Sequence, residues 1–235
     1  MDYKKICFSC MKELSEADGK CEHCGYDNRI RNNGVGFLAG GVLGNQYMVG
    51  KALGRGGFGI TYLGYDMTLQ RKVAIKEYFP ADLCARDSVT QDLHSFDKGS
   101  EDAFEKGKQR ALREARLTAK IDNIPNIVRT YSAIEEHNTV YIIMEYIDGM
   151  TLSSFAQQQS GKLPWIRVWT LMKPIMQTLG EIHKRGVVHK DISPENIMIR
   201  YSDGMPVLLD FGAAQITTKG NTEHSVNINT GYAPL

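Results

Sequence analysis

The sequence predicts an α+β fold of two lobes, a strand-rich lobe followed by a helical one, with a small cysteine-rich module in front. Between residues 47 and 79 the stretches YMVGKAL, GITYLGYD and KVAIKEYF are short, rich in β-forming residues and separated by turn signals. Two further strands are expected at 127–133 and 140–146. Residues 100–121 and 164–183 instead repeat apolar residues at helical spacing. Four of the five cysteines fall in the first 24 residues.

The two predicted helices carry distinct signals. The helix at 100–121 has Ser100 as its expected N-cap, and Glu101 and Asp102 lie in the first turn, where negative charge stabilises a helix. Its expected apolar stripe is Phe104, Ala111, Leu112, Ala115 and Ala119. The helix at 164–183 is expected to bury Trp165, Val168, Trp169, Met172, Ile175, Met176 and Leu179.

Composition and charge exclude several classes of protein. The 235 residues are 42% hydrophobic and 23% charged, which excludes wholesale disorder. The net charge of +1 gives no electrostatic reason to expect a nucleic acid partner. The longest apolar stretches, such as 140–144, are far shorter than a membrane span. The N-terminus MDYKKICFSC has no apolar signal-peptide core, so we expect a cytoplasmic location.

The clustered cysteines predict a zinc ribbon over residues 1–28. Two C-x-x-C pairs, Cys7 with Cys10 and Cys21 with Cys24, are separated by ten residues and place four thiolates on two facing turns. This segment has few large apolar side chains, so it needs a bound metal or a covalent cross-link to fold. Two disulfides or a redox C-x-x-C are the alternatives, but a secretory context is absent and redox motifs are not normally doubled. Cys84 is expected to be a free thiol.

A connector and a nucleotide-binding motif follow. Residues 31–46 contain five glycines without a regular period, so 29–46 is interpreted as a flexible linker. Residues 53–59, LGRGGFG, contain G-x-G-x-x-G, which alone fits a hairpin turn, a dinucleotide site or a phosphate lid. The strand-like continuation at 60–65 favours a hairpin whose backbone N–H groups cover phosphates. Lys76, in VAIK, is then placed to bind the α- and β-phosphates of a nucleotide.

The run VVHKDISPENIMI at 187–199, followed by LLDFG at 208–212, completes an ordered set of motifs. With the glycine loop, VAIK, a helix glutamate and MEY, the sequence from about residue 45 onward resembles the protein kinase family. The phrases GGFGITYLGYD and KEYFP, and the ribbon in front, are most similar to bacterial kinases of the eukaryotic Ser/Thr type. The resemblance implies a bilobal kinase fold over 47–235, whose helical C-lobe is cut short.

The resemblance assigns chemical roles by position. Asp191 would accept the proton of the attacking hydroxyl, and Asp210 and Asn196 would hold Mg²⁺, with Mn²⁺ as an alternative ion. Lys76 would bind phosphates and pair with Glu114. Glu105 is a weaker candidate for that pair, and a solvated Glu114 paired with a neighbouring arginine is the ordinary structural alternative.

The resemblance also implies an adenine site. The N-lobe would span 47–144, the hinge 145–149 and the partial C-lobe 150–235. The backbone of Glu145 and Ile147 would bind adenine. The implied ATP-binding residues are Leu53, Gly54, Gly56, Gly57, Phe58, Gly59, Thr61, Ala74, Lys76, Met144, Glu145, Ile147 and Met198.

The sequence departs from the family pattern in four places. Lys190 replaces the usual arginine before the catalytic aspartate, and a lysine is a poorer phosphate clamp. Ser193 stands where Ser/Thr kinases usually carry lysine, which leaves a tyrosine acceptor open. Lys76 and Glu114 are 38 positions apart, so residues around 81–99 are expected to form an extra loop. The chain stops at GYAPL, within the family's APE element, so about a hundred further residues of C-lobe are expected. Without them we expect exposed apolar surface on the 164–183 helix and poor turnover.

The sequence therefore predicts an ATP-dependent protein kinase that acts on Ser or Thr, with a zinc ribbon as a docking or regulatory module. A catalytically silent nucleotide-binding scaffold is the alternative, although a pseudokinase has usually lost a member of the catalytic set. The expected cofactors are ATP, Mg²⁺ and structural Zn²⁺. Autophosphorylation is expected within 213–230, and its candidates are Thr217, Thr218, Thr222, Ser225 and Thr230.

Overall fold

The computed structural model describes residues 5–17, 19–32, 36–57 and 59–216. They form two compact units. The first unit holds the cysteine module and the strand-rich lobe, and the second holds residues 116–129 and the chain from Ile147 onward. The cysteine module thus belongs to the same unit as the strands that follow it.

A six-stranded antiparallel sheet is the frame of the first unit. Its strands are β1 (Val42–Leu43), β2 (Tyr47–Gly56), β3 (Gly59–Asp66), β4 (Arg71–Tyr78), β7 (Thr130–Glu136) and β8 (Thr139–Glu145). Their order is β1-β2-β3-β4-β8-β7. Strands β4 and β8 each carry a continuous apolar run, and side chains such as Ile75, Tyr141 and Ile143 are fully buried in the main core. The predicted strand at 127–133 begins later and extends further than expected.

The extra segment expected around 81–99 is largely a small β-hairpin. Strands β5 (Cys84–Arg86) and β6 (Leu93–Ser95) pair with each other outside the main sheet. Leu93 and Cys84 are buried in the core of the first unit. The insertion is therefore a packed part of this unit.

Helix α1 (Lys98–Ile121) begins before the position that the sequence predicts. The Asp97 carboxylate accepts hydrogen bonds from the Ser100 N–H at 2.8 Å and from its hydroxyl at 3.0 Å. Asp97 therefore satisfies an N-terminal amide, and the prediction of Ser100 as the cap is wrong. The expected stripe is buried except for Ala119, which is exposed; Leu117 and Ile121 are buried near the end of the helix.

Residues 36–46 of the predicted flexible linker are packed against the sheet. Phe37 and Leu43 belong to the main core, and Val42 and Leu43 pair with β2 as strand β1. The Gly40 N–H donates to the Val49 carbonyl at 2.7 Å. Residues 36–46 are therefore an ordered edge of the sheet, because two of their few apolar side chains are large enough to anchor them.

The second unit combines the last turns of α1 and two further helices with short strands. Its elements are β9 (Gly149–Thr151), α2 (Leu152–Gln158), α3 (Trp165–Lys184), β10 (Val187–Val188), β11 (Ile197–Arg200), β12 (Pro206–Leu208) and β13 (Gln215–Ile216), with a 3₁₀ turn at Pro194–Asn196. Strand β11 pairs with both β9 and β12, and β10 pairs with β13. These short strands flank the loops that carry the predicted catalytic residues.

Helix α3 buries only part of the face that the sequence predicts: Ile175 is buried as expected, and Met172 and Leu179 pack partly buried against the core. Its buried residues are Leu171, Ile175, Thr178 and Ile182. Trp165 is 74% exposed and Trp169 is 48% exposed, and Val168 and Met176 are exposed as well. The expectation of burial is therefore wrong for these four side chains, whereas the exposed apolar surface that the sequence analysis also expects on this helix is present. Within the described residues, no helix is long and apolar enough to cross a bilayer.

Candidate functional site

The glycine-rich segment forms the hairpin between β2 and β3. Gly56 pairs with Gly59 at its tip, and Arg55 pairs with Ile60. A Cβ atom at Gly54, Gly56 or Gly57 would have no described atom within 4 Å, so the backbone here is open to a ligand. Leu53 is 44% exposed at the base of the hairpin. Phe58 lies outside the described residues.

Lys76 and Glu114 form an ion pair in the first unit. The distance between Lys76 Nζ and Glu114 Oε1 is 2.8 Å, and the side chains are 25% and 12% exposed. Lys76 lies on β4 opposite Thr61 of β3. Glu105 pairs instead with Lys108 at 2.7 Å, and this ammonium lowers the pKa of the Glu105 carboxyl. The structure thus brings together the lysine and the preferred glutamate of the sequence analysis.

The proposed adenine contacts of the first unit lie on neighbouring strands. Ala74 on β4 is buried and pairs with Met144 on β8, and Val73 pairs with Glu145. Met144 is partly buried against the main core. In the second unit, Ile147 is buried and Met198 lies on β11 opposite Val207.

Asp191 and Asn196 are joined directly in the second unit. The Asn196 amide nitrogen donates to Asp191 Oδ2 at 2.9 Å and to the Asp191 carbonyl at 3.0 Å. Asn196 ends the 3₁₀ turn, and its own carbonyl accepts from the Leu209 N–H at 2.8 Å. Because its nitrogen is bound to Asp191, the side chain would offer a metal ion its oxygen.

Asp210 directly follows Leu209, whose N–H donates to the Asn196 carbonyl. Its backbone adopts the left-handed conformation, with φ of 54°, which short polar side chains tolerate. Its Oδ1 accepts from the Gly212 N–H at 3.0 Å. A carboxylate and an amide oxygen are hard ligands of the kind that Mg²⁺ prefers, so Asp210 and Asn196 fit the proposed ion in chemical type.

His189 supports the loop that carries Asp191, a role that the sequence analysis missed. The ring is 1% exposed, accepts from the Asp191 N–H at its Nδ1 (3.3 Å) and donates from Nε2 to the Leu209 carbonyl (3.0 Å). It contacts the Phe211 ring with centroids 4.6 Å apart. One proton satisfies both nitrogens, and burial lowers the pKa of His189. The histidine of the H-K-D sequence was the signal from which this role could have been predicted.

The structure also shows the surroundings of Lys190 and Ser193, two departures from the family pattern. Lys190 has φ of 67° and donates to Gln215 on β13. Ser193 is buried at 4% exposure before the 3₁₀ turn. The five candidate phosphorylation sites, from Thr217 to Thr230, lie outside the described residues.

The four N-terminal cysteines form a separate candidate metal centre. Their sulfur atoms all lie within 4.8 Å of one another, with Cys7 to Cys24 at 3.6 Å and Cys10 to Cys21 at 3.7 Å. A tetrahedral ZnS₄ centre with bonds of about 2.3 Å has sulfur–sulfur separations of about 3.8 Å. The cluster therefore fits zinc. Burial raises the pKa of the Cys7 thiol to about 12, so metal binding there would release a proton.

The two cysteine turns repeat the same backbone bonds. The Cys7 N–H donates to Lys12 and the Cys21 N–H donates to Tyr26, at 2.9 and 2.8 Å. Asn28, which is fully buried, joins the two turns, because its amide donates to the Ile6 carbonyl and accepts from the Phe8 N–H. Sequence reasoning missed Asn28, since a single asparagine carries no pattern.

The strand-rich unit with its Lys–Glu pair and the unit with its Asp–Asn loop are those of a kinase-like fold. A family model for the protein kinase domain matches residues 47–234. The chain belongs to the protein kinase family.

Named protein kinases are similar to this chain in sequence. The chain is 32% identical over 203 residues to serine/threonine-protein kinase PknA of Nostoc, covering 82% of this chain and 33% of PknA. It is 30% identical over 192 residues to serine/threonine-protein kinase PrkC of Bacillus subtilis, covering 82% of this chain and 26% of PrkC. The chain thus spans about a third or less of the length of these relatives.

A solved structure, titled PpkA-294 apo form, has the same fold. It is 34% identical in sequence, with a TM-score of 0.71, and the match covers 76% of this chain and 62% of that one. These comparisons confirm that the chain resembles bacterial kinases of the eukaryotic Ser/Thr type.

Proposed function

We propose that this protein binds ATP with Mg²⁺ and transfers the γ-phosphate to a Ser or Thr hydroxyl of another protein. The observation that carries the proposal is the Lys76–Glu114 ion pair at 2.8 Å. A lysine fixed in this way by a helix carboxylate holds its ammonium group ready for phosphate oxygens. Its two members lie on β4 and α1, elements that the core of the first unit holds in place.

The proposed chemistry of the second unit rests on two side chains. Asp191 would orient the acceptor hydroxyl and take its proton, and the bond from Asn196 holds the carboxylate in one orientation. Asp210 and the Asn196 oxygen would hold Mg²⁺ or Mn²⁺, which supplies positive charge against the phosphates. Preorganised charge of this kind acts mainly on the transition state.

The nucleotide itself would be bound by the hairpin and by the strand ends. The open backbone of Gly54, Gly56 and Gly57 supports a contact with phosphate, and Leu53, Gly59 and Phe58 would complete the lid. Ala74, Thr61 and Met198 would contact the adenine ring, and the backbone of Glu145 and Ile147 would bind its edge. Met144 would close the back of the pocket.

The choice of Ser or Thr rests on the relatives, which are named serine/threonine-protein kinases. Ser193, which is buried, stands where Ser/Thr kinases usually carry lysine. The acceptor is a protein whose identity is open, and the chain's own 213–230 segment is one candidate. Zinc at the four cysteines would be structural.

The experiment is transfer of label from γ-labelled ATP to a generic protein substrate, followed by phosphoamino acid analysis. We expect label on Ser or Thr and none on Tyr. Label on Tyr alone would contradict the choice of Ser or Thr as the acceptor. Binding of ATP without any transfer by the full-length protein would indicate a silent scaffold.

A further inference from the structure

The first cysteine turn lies directly against the strand that leads into the glycine hairpin. The Lys51 N–H of β2 donates to the Phe8 carbonyl at 2.7 Å, and Phe8 lies between Cys7 and Cys10. The approach is so close that a Cβ atom on Gly50 would lie 2.5 Å from the Phe8 oxygen and 2.3 Å from Met11 Cε. Only glycine allows this contact between the two backbones.

Asn32 makes a second contact with the same segment of β2. Its side-chain nitrogen donates to the Gly50 carbonyl at 2.8 Å, and its oxygen accepts from the Ala52 N–H at 2.9 Å. One amide thus binds a donor and an acceptor on either side of Lys51, as a neighbouring peptide group would. Asn32 adopts φ of 52°, which asparagine tolerates better than most residues.

These contacts fall where the ladder between β2 and β3 is interrupted. Val49 pairs with Gly64 and Ala52 pairs with Tyr62, so the register shifts across Gly50 and Lys51. A bulge leaves backbone groups without their regular partner and bends the strand. Here Phe8 and Asn32 bind the backbone of residues 50–52. The glycine-rich segment of the hairpin begins at the next residue, Leu53.

Apolar packing joins the same surfaces. Phe8, Met11 and Ile6 from the cysteine module share one buried cluster with Met48 and Leu63 of the sheet. Each of these five side chains is at most 7% exposed. The cysteine module is therefore part of the first unit's core and not a tethered appendage.

We propose that Phe8 and Asn32 are positioning residues for the glycine hairpin, so that the cysteine module sets how tightly the hairpin binds nucleotide phosphates. The proposal rests on the proposed ATP-binding function. Bonds that come from outside the sheet hold the bulge in β2 in the geometry seen here. Loss of those bonds frees the segment that aims the backbone of residues 53–57 at the phosphates.

The test uses Asn32→Gly, which removes the amide yet keeps the left-handed backbone free of strain. The variant loses the three hydrogen bonds of this amide, to Gly50, Ala52 and the Phe37 carbonyl. We expect the Kd for Mg·ATP to rise about threefold to tenfold. The Kd for adenosine, which has no phosphates, should change less than about twofold. General loosening of the fold would weaken both ligands alike and would overturn the proposal.

A pair of glycine substitutions gives a second arm. Gly50→Ala, on β2, places its Cβ against Phe8, Met11 and the Leu63 carbonyl, whereas Gly19→Ala, in the cysteine module, meets no described atom within 4 Å. We expect Gly50→Ala to weaken ATP relative to adenosine and Gly19→Ala to leave both affinities unchanged. Equal ATP affinity in the wild type and in Asn32→Gly would contradict the proposal.

Hydrogen exchange separates this proposal from the proposed function. In the absence of nucleotide, Asn32→Gly should speed exchange of the hairpin amides at 54–56 and 59–61 several-fold. If the wild type binds no ATP but these amides respond, ATP binding fails while the positioning role stands. If ATP binds and the amides do not respond, the positioning role is wrong.

Discussion

Arg86 and Glu77 form a buried ion pair in the strand-rich unit, with Arg86 Nη2 2.6 Å from Glu77 Oε1. The side chains are 6% and 0% exposed. The Tyr62 hydroxyl donates to the other carboxylate oxygen at 2.6 Å, and burial raises the pKa of Tyr62, so it stays a donor. Arg86 comes from the inserted hairpin, and Glu77 follows Lys76 on β4. The pair thus fastens the insertion to the strand that carries Lys76.

Removal of one partner of this pair should be costly. Arg86→Met leaves the Glu77 charge buried, so we expect the free energy of unfolding to fall by about 3–5 kcal/mol. Arg86→Met with Glu77→Gln should recover a large part of this loss. Lys184→Met, which breaks the exposed pair with Glu181, should change stability little. Urea denaturation measures all four proteins, and a harmless Arg86→Met would contradict the assigned role.

Lys76→Ala should weaken binding of Mg·ATP about tenfold to a hundredfold, because hydrogen bonds to charged groups contribute about 1.5–3 kcal/mol. Lys72→Ala is the control, since Lys72 lies on the same strand but is exposed. Titration calorimetry gives both affinities. Equal losses in the two variants would show that Lys76 has no special contact with the nucleotide.

One zinc ion per chain should be bound through the four clustered cysteines. Cys21→Ser should abolish stoichiometric zinc, and a strong chelator should lower the thermal unfolding midpoint of the wild type. Cys84→Ser is the matched control, because the Cys84 thiol is buried far along the chain and donates to Pro80. Metal analysis that finds less than half a zinc per wild-type chain, or unchanged zinc in Cys21→Ser, would refute the site.

Acid should weaken the fold through His189. Its pKa in the folded chain lies below the ordinary value of 6.5 because burial disfavours the charged ring. As the pH falls below about 6.5, His189 binds a proton in the unfolded chain before it does so in the folded chain. The free energy of unfolding therefore decreases until the pH reaches the pKa of the folded chain. His189→Gln, which keeps a donor and an acceptor, should lose less stability between pH 7 and about 5.5. Equal losses in urea denaturation at the two pH values would exclude this role.

The parts of the fold that the sequence predicted well depend on local patterns. The strands at Gly59–Asp66 and Arg71–Tyr78 and the fourfold cysteine pattern follow from neighbouring residues alone. The 38-residue gap between Lys76 and Glu114 indicated the insertion, although not that it would form a hairpin.

What the sequence could not predict depends on tertiary contacts. Trp165 and Trp169 have the spacing of a buried face, yet both are exposed, whereas Leu171 and Ile182 of α3 are buried. The glycine-rich segment before β2 looked flexible, but Phe37 anchors it in a core that only the folded sheet creates. Asn32, likewise, gains its meaning from a bulge in a strand that is distant in sequence.

The central claim is that this protein is a phosphotransferase whose chemistry depends on Asp191. The most direct measurement compares label transfer from γ-labelled ATP with the Kd for Mg·ATP, in the wild type and in Asp191→Asn. A positioned carboxylate that acts on the transition state affects rate far more than affinity. We therefore expect transfer to fall at least about a hundredfold while the Kd changes less than about threefold. Undiminished transfer in Asp191→Asn, or loss of ATP binding as severe as in Lys76→Ala, would contradict the account.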